Sequence, residues 1–256
     1  MIKQLFVLLT AAVLGFYQLP NSQDNARNKS LETTILREQI PNYAPVFNSP
    51  QQTLDELMCQ YLNISGKDLK KMKSGTKKWS TSKGGLVKLP DKYLLDYKRD
   101  ATNESRLLEP VALAFQEMAD SAKKEGIKLL LGSGYRDKSE QAVIYAQSNG
   151  NRQVAPPGGS NHQKAIALDL AGPEGFIKKG SIYRWLIKHA SKYGFENPPW
   201  AKGINGPREQ WHWEYDTSKL KAWYSEQIQT RDYSSEMQRE VNNSFSIVLP
   251  DILDRR

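Results

Sequence analysis

The chain has 256 residues, of which 39% are hydrophobic, 25% charged and 10% aromatic. That balance folds rather than stays disordered, and the length gives room for one sizeable core with peripheral segments. A single cysteine, Cys59, excludes an internal disulfide framework and any multi-cysteine zinc or iron–sulfur site. The formal net charge of +8 suits an anionic partner, whether nucleic acid, an acidic membrane surface or a wall polymer, and does not choose among them.

Residues 1–20 open with Lys3 and then run apolar over 5–17, broken only by Thr10 and Gly15. The run is short for a membrane span of roughly 20 residues and fits the apolar region of a secretory signal. Cleavage sites such as Val13-Leu14-Gly15 are weak, so the segment is expected to act as a signal peptide or to stay as a membrane anchor, and export follows either way. Residues 21–52 are polar, with Pro41, Pro45 and Pro50, and read as a linker. Residues 53–83 form a helical lead-in: Leu54, Leu57, Met58, Tyr61 and Leu62 recur at helical spacing, followed by a basic face of Lys67, Lys70, Lys71, Lys73, Lys77 and Lys78.

Residues 84–218 carry the main domain. A helix is expected over 110–126, with Val111, Phe115, Met118, Ala119 and Ala122 on one face, and a strand over 127–131. Asp137 or Ser139 can cap a second helix running to Ser148 and ended by Asn149-Gly150. A strand follows over 165–170, then a helix capped by Ser181 and stopped by Gly194, and a last strand over 210–215. Mixed order without a regular strand–helix repeat predicts an α+β fold, a small mixed or antiparallel sheet with flanking helices around a cleft. Residues 219–256 read as a C-terminal helical extension.

Two segments carry chemistry. In Ser160-Asn161-His162-Gln163-Lys164-Ala165-Ile166-Ala167-Leu168-Asp169, strand alternation puts Ala165, Ala167 and Asp169 on one face, with His162 just before it. In Glu209-Gln210-Trp211-His212-Trp213-Glu214-Tyr215, His212 and Glu214 share a face. Glu209 would point the other way in an unbroken strand and reaches the same site only from a turn, which Pro207 favours. Two imidazoles and a carboxylate are a common catalytic zinc set, and a further carboxylate can serve as base. Spacing by itself is weak evidence, since a His-x6-Asp pair arises often by chance, and it leans towards a structural role for these residues. His189, near Trp185 and Tyr193 on a helix, reads as a packed histidine, and Glu214 as a residue that could orient His212.

A third segment, Ser133-Gly134-Tyr135-Arg136-Asp137-Lys138-Ser139-Glu140-Gln141, completes an ordered set. Together the three resemble the signatures of VanY-type D-alanyl-D-alanine carboxypeptidases, whose wider zinc peptidase family shares Ser-x-His-x6-Asp and Glu-x-x-His motifs. The resemblance implies one Zn²⁺ per chain held by His162, Asp169 and His212, with Glu209 as catalytic base. It also implies that Arg136 faces the substrate and that Gln141 and Ser160 line the cleft. The implied substrate is a peptidoglycan stem peptide ending in D-Ala-D-Ala, cleaved in the cell envelope. An endopeptidase or L,D-carboxypeptidase of the same family, or a zinc-containing wall-binding module, remains an alternative. No nucleic-acid module pattern is present. The family usually carries glycine where this chain has Ala165, so a left-handed backbone there would strain the methyl-bearing residue.

Overall fold

The computed structural model describes residues 52–95, 103–149, 154–203 and 208–253. The signal-or-anchor segment 1–20 and the linker up to residue 51 lie outside the described residues, as do Gly150 and Pro207. Among the described residues no helix is long and apolar enough to cross a membrane.

The lead-in forms two helices, α1 (Leu54–Leu62) and α2 (Gly66–Lys73). Thr53 and Glu56 close a reciprocal capping box on α1, and Ser65 caps α2. Leu57, Met58, Tyr61 and Leu62 are buried, as their spacing required, while Cys59 is only partly so. A two-stranded antiparallel ribbon follows, β1 (Leu86–Lys88) paired with β2 (Arg106–Leu108). Three-residue strands give too little alternation to be seen in sequence, and neither was anticipated.

Helix α3 (Glu109–Lys124) carries Pro110 in its first turn, where the missing N–H is not needed. It buries Val111, Ala112, Phe115, Met118, Ala119 and Ala122 in one core with Leu168, Leu170 and Leu186. The valine, phenylalanine, methionine and leucine side chains among these contribute roughly 1.5–3 kcal/mol each when fully buried.

The main sheet has five strands: β3 (Leu130–Ser133), β4 (Ala167–Gly172), β5 (Gly175–Phe176), β6 (Phe195–Glu196) and β7 (His212–Tyr215). Its order is β3-β4-β7-β6, with β5 also on β4, and every pairing is antiparallel. This is the expected α+β architecture. Helix α4 (Lys138–Gln147) begins at Asp137, whose carboxylate accepts from the Ser139 and Glu140 amides.

Several boundaries differ from the sequence reading. The apolar run 127–131 becomes strand only from Leu130, because its pairing partner Ala171 ends the register there. Helix α5 (Ser181–His189) begins after Gly180 with no side-chain cap, so Ser181 is its first residue rather than its cap. The strand expected at 165 starts at Ala167. Ala165 instead ends a 3₁₀ turn, Asn161–Lys164, in the left-handed conformation (φ 59°, ψ 27°), so it does not continue the face of Ala167 and Asp169. The last strand starts at His212, two residues later than expected.

Helix α6 (Thr217–Leu253) returns along the lead-in. Tyr61 meets Trp223 and Tyr224 edge to face, each with centroids 5.6 Å apart, and the Tyr224 hydroxyl donates to the Gly84 carbonyl at 2.6 Å.

Candidate metal centre

Register places the site. In the antiparallel ladder Asp169 lies opposite His212 on one side and Ser133 on the other, and Ala167 lies opposite Glu214. Directly opposed residues project to the same face. Asp169, His212 and Glu214 therefore stand together beside the small Ala167.

His162 reaches the same place from the 3₁₀ turn. Ser160 caps that turn, its hydroxyl oxygen accepting from the His162 amide at 3.3 Å, and Gln163 completes a capping box. Gln163 is fully buried. Its amide donates to the Ser74 carbonyl at 3.0 Å and its oxygen accepts from the Gly158 amide at 2.7 Å. The Trp79 indole donates to the Gln163 carbonyl at 3.1 Å. The lead-in thus grips the turn from outside the sheet.

His162, Asp169 and His212 each offer one ligand atom, all within 4.8 Å of one another. The His162 Nδ1–H donates to the Gly134 carbonyl at 2.7 Å, so its Nε2 carries a lone pair. That Nε2 is buried without a hydrogen-bond partner, 3.3 Å from Asp169 Oδ1. A buried lone pair facing a carboxylate oxygen is an arrangement that a cation between them resolves. His212 Nδ1 lies 3.1 Å from the same Oδ1, and its Nε2 3.1 Å from Glu214 Oε1. The donor set fits a divalent metal such as zinc.

Gly134 could not be replaced here. A Cβ on it would meet the Arg106 carbonyl oxygen at 2.6 Å, so the segment just after β3 that presents the acceptor for His162 must carry glycine.

The electrostatics follow the geometry. Burial holds the His162 imidazole below its ordinary value, with Arg136 adding to the effect. Burial pushes the Asp169 carboxyl up, but His162 and His212 together hold it well below the usual range. Burial also opposes a charged His212, yet hydrogen bonds to Asp169 and Glu214 raise it to about 9 in the metal-free protein. Glu209 is raised, burial being the main cause, and the charges of His212, Asp169 and Arg136 all bear on it.

Glu209 does lie in a turn before β7: its carbonyl accepts from the His212 amide at 3.0 Å, and its own amide donates to the Ala201 carbonyl at 2.8 Å. Arg136 points its Nη2 to Asp169 Oδ2 at 3.6 Å, while its buried Nε has no partner. Gln141 is buried, its Nε2 donating to the Ala155 carbonyl at 2.7 Å and its Oε1 left without a partner. His189 stacks on Trp185 with centroids 4.8 Å apart, away from the metal-binding group, as a packed histidine should. Sequence reasoning missed Trp200, half-exposed with its ring centroid 4.8 Å from that of His212. A lone tryptophan beside a proline pair carries no periodic signal that could have found it.

Residues 104–218 match the family model described as VanY: D-alanyl-D-alanine carboxypeptidase. Over 111 residues the chain is 33% identical to a D-alanyl-D-alanine carboxypeptidase of Enterococcus faecium, a match covering 41% of this chain and 36% of that protein. A second such protein, from Enterococcus faecalis, is 27% identical over 147 residues, 50% of this chain and 54% of the relative. The chain therefore spans about a third to about half of the curated relatives it matches. Among solved structures, that of the LdcB LD-carboxypeptidase is 26% identical and covers 60% of this chain and 76% of its own, with a TM-score of 0.46.

Proposed function

With the similarity of residues 104–218 to VanY-type D-alanyl-D-alanine carboxypeptidases as the premise, we propose that the chain is a zinc-dependent D,D-carboxypeptidase of the cell envelope. It removes the terminal D-alanine from peptidoglycan stem peptides ending in D-Ala-D-Ala. The observation that carries this reading is the buried, partnerless Nε2 of His162 facing Asp169 Oδ1, with His212 on the other side of the same oxygen.

His162, Asp169 and His212 would hold one zinc ion, which when bound polarises the scissile carbonyl and makes an attacking water acidic. Glu209 takes the proton of that water on its carboxylate and delivers it to the leaving amine, a role suited to a carboxyl raised by burial. Arg136 holds the charged part of the substrate through a guanidinium whose Nε is uncommitted. Gln141 and Ser160 line the cleft. The Ser160 hydroxyl, while accepting from the His162 amide, retains its own proton for a substrate acceptor. The net charge of +8 favours approach to an anionic wall.

The test is incubation of the full chain with a pentapeptide muropeptide, following free D-alanine by mass spectrometry. Release that a chelator abolishes and added zinc restores supports the proposal. Intact pentapeptide in the presence of stoichiometrically bound zinc overturns the assigned bond, and failure to take up zinc overturns the metal centre itself.

A further inference from the structure

The second nitrogen of His212 has a partner that belongs to this chain's own arrangement. His212 Nε2 lies 3.1 Å from Glu214 Oε1, two residues along the same strand face. The same Oε1 accepts from Asn161 Nδ2 at 2.9 Å. The Asn161 amide is itself oriented, because its Oδ1 accepts from Lys164 Nζ at 2.8 Å, leaving its NH₂ for the carboxylate. Asn161 precedes His162 in the 3₁₀ turn, and Glu214 follows His212 on β7. The carboxylate opposite Ala167 therefore bridges the two segments that bring the two imidazoles together.

Resting on the metal centre proposed above, we infer that Glu214, oriented by Asn161, is a positioning residue that aims His212 at the metal and ties its strand to the turn bearing His162. In the metal-free protein Nδ1 meets Asp169 Oδ1 at 3.1 Å; with Nε2–H committed to Glu214, Nδ1 is the nitrogen that would give up its proton and turn its lone pair to a bound metal. Without Glu214 the imidazole would be held only by Asp169 and by packing against Trp200 and His162, and a ring that turns away from Asp169 loses the shared geometry on which tight binding depends. Neither Glu214 nor Asn161 touches the substrate in this role. Their effect passes entirely through His212.

The test measures zinc affinity of the full chain by competition with a chromophoric chelator, in wild type, Glu214→Ala, Glu214→Gln and Asn161→Ala. Outer partners of ligating histidines typically carry 10–100-fold in metal affinity. Glu214→Ala is expected to weaken zinc by that factor. Glu214→Gln, whose amide oxygen can accept from both His212 and Asn161, should return to within about threefold of wild type. Asn161→Ala should fall between them. In the zinc-loaded proteins, ¹⁵N-histidine spectra should show the His212 proton on Nε2 in wild type and Glu214→Gln, with that proton exchanging faster with water in Glu214→Ala.

Wild-type affinity and an unchanged His212 signal in Glu214→Ala would overturn the inference while leaving the metal centre standing. Equal losses in Glu214→Ala and Glu214→Gln would overturn it too, since a charge effect rather than orientation would then be responsible. A wild-type protein that takes up no zinc overturns the metal centre and this inference with it. Should Glu214→Ala fail to fold, Asn161→Ala decides: affinity equal to wild type rejects the bridge.

Discussion

The two imidazoles of the candidate centre are held by opposite means. His162 is anchored by backbone: its Nδ1–H meets the Gly134 carbonyl, and its turn is gripped by Gln163, Trp79 and Ser74. His212 is anchored by side chains alone, with Asp169 on one nitrogen and Glu214 on the other. The lesson is one of vulnerability. A carbonyl acceptor cannot be removed by substitution, whereas each partner of His212 can be deleted by a single change, so the second imidazole should be the adjustable one.

Asp169 serves both arms, and its loss should be the most damaging. Asp169→Ala removes the carboxylate that both rings face, and zinc affinity is expected to fall by more than the roughly 100-fold cost of losing an outer partner, measured by chelator competition. Retained stoichiometric zinc at wild-type affinity would mean that the two histidines bind without it. Glu209→Gln stands in contrast, since Glu209 belongs to neither arm. D-alanine release should drop by about 10²–10⁴ with zinc affinity unchanged, and a parallel loss of metal would place Glu209 among the ligands instead.

The comparison also predicts a pH dependence confined to one arm. In the metal-free protein His212 titrates at about 9, above its ordinary 6.5. A group raised on folding stabilises fully below its unfolded value and loses that contribution as pH rises through the folded one. Thermal stability of the chelated protein should therefore decline between about pH 6.5 and 9, by at most about 3 kcal/mol from this source. The lowered His162 makes no matching contribution in that window. A melting temperature flat across this range would contradict the two-carboxylate clamp on His212.

Gln163→Ala tests the backbone-anchored arm. It leaves the Gly158 amide and the Ser74 carbonyl without their partner, a cost of about 1–3 kcal/mol on denaturant unfolding. A change below 0.5 kcal/mol (roughly the noise of a surface substitution) would show that the lead-in does not grip the turn. The smallest effect belongs to Ala165→Gly. Relief of a left-handed alanine is worth about 1–2 kcal/mol, but glycine gives back about 0.4–1 through the unfolded chain and loses a buried methyl worth about 0.8. The net change should stay within about 1 kcal/mol, which explains how alanine persists at φ 59°. A larger loss would show that the fully buried methyl packs more tightly than its size suggests.

The sequence by itself determined a good deal. The amphipathic spacing of Val111, Phe115 and Met118 specified α3, and alternation placed His212 and Glu214 on one face, because both periodicities are properties of the local backbone. The resemblance drew attention to His162, Asp169, His212 and Glu209 through ordered motifs. Tertiary structure alone decided what these residues meet. That Asp169 pairs opposite His212 depends on the β4–β7 register, and that His162 finds the Gly134 carbonyl depends on how the turn lands beside the segment that follows β3. Those are contacts between segments 28 and 43 residues apart, chosen by which pairing buries the most apolar surface, and local periodicity carries no record of that choice. The bridge from Asn161 to Glu214 is of the same kind: it follows from where the folded chain brings a neighbour, and no pattern along the chain announces it, whereas the left-handed Ala165 was flagged beforehand by the glycine that similar chains carry there.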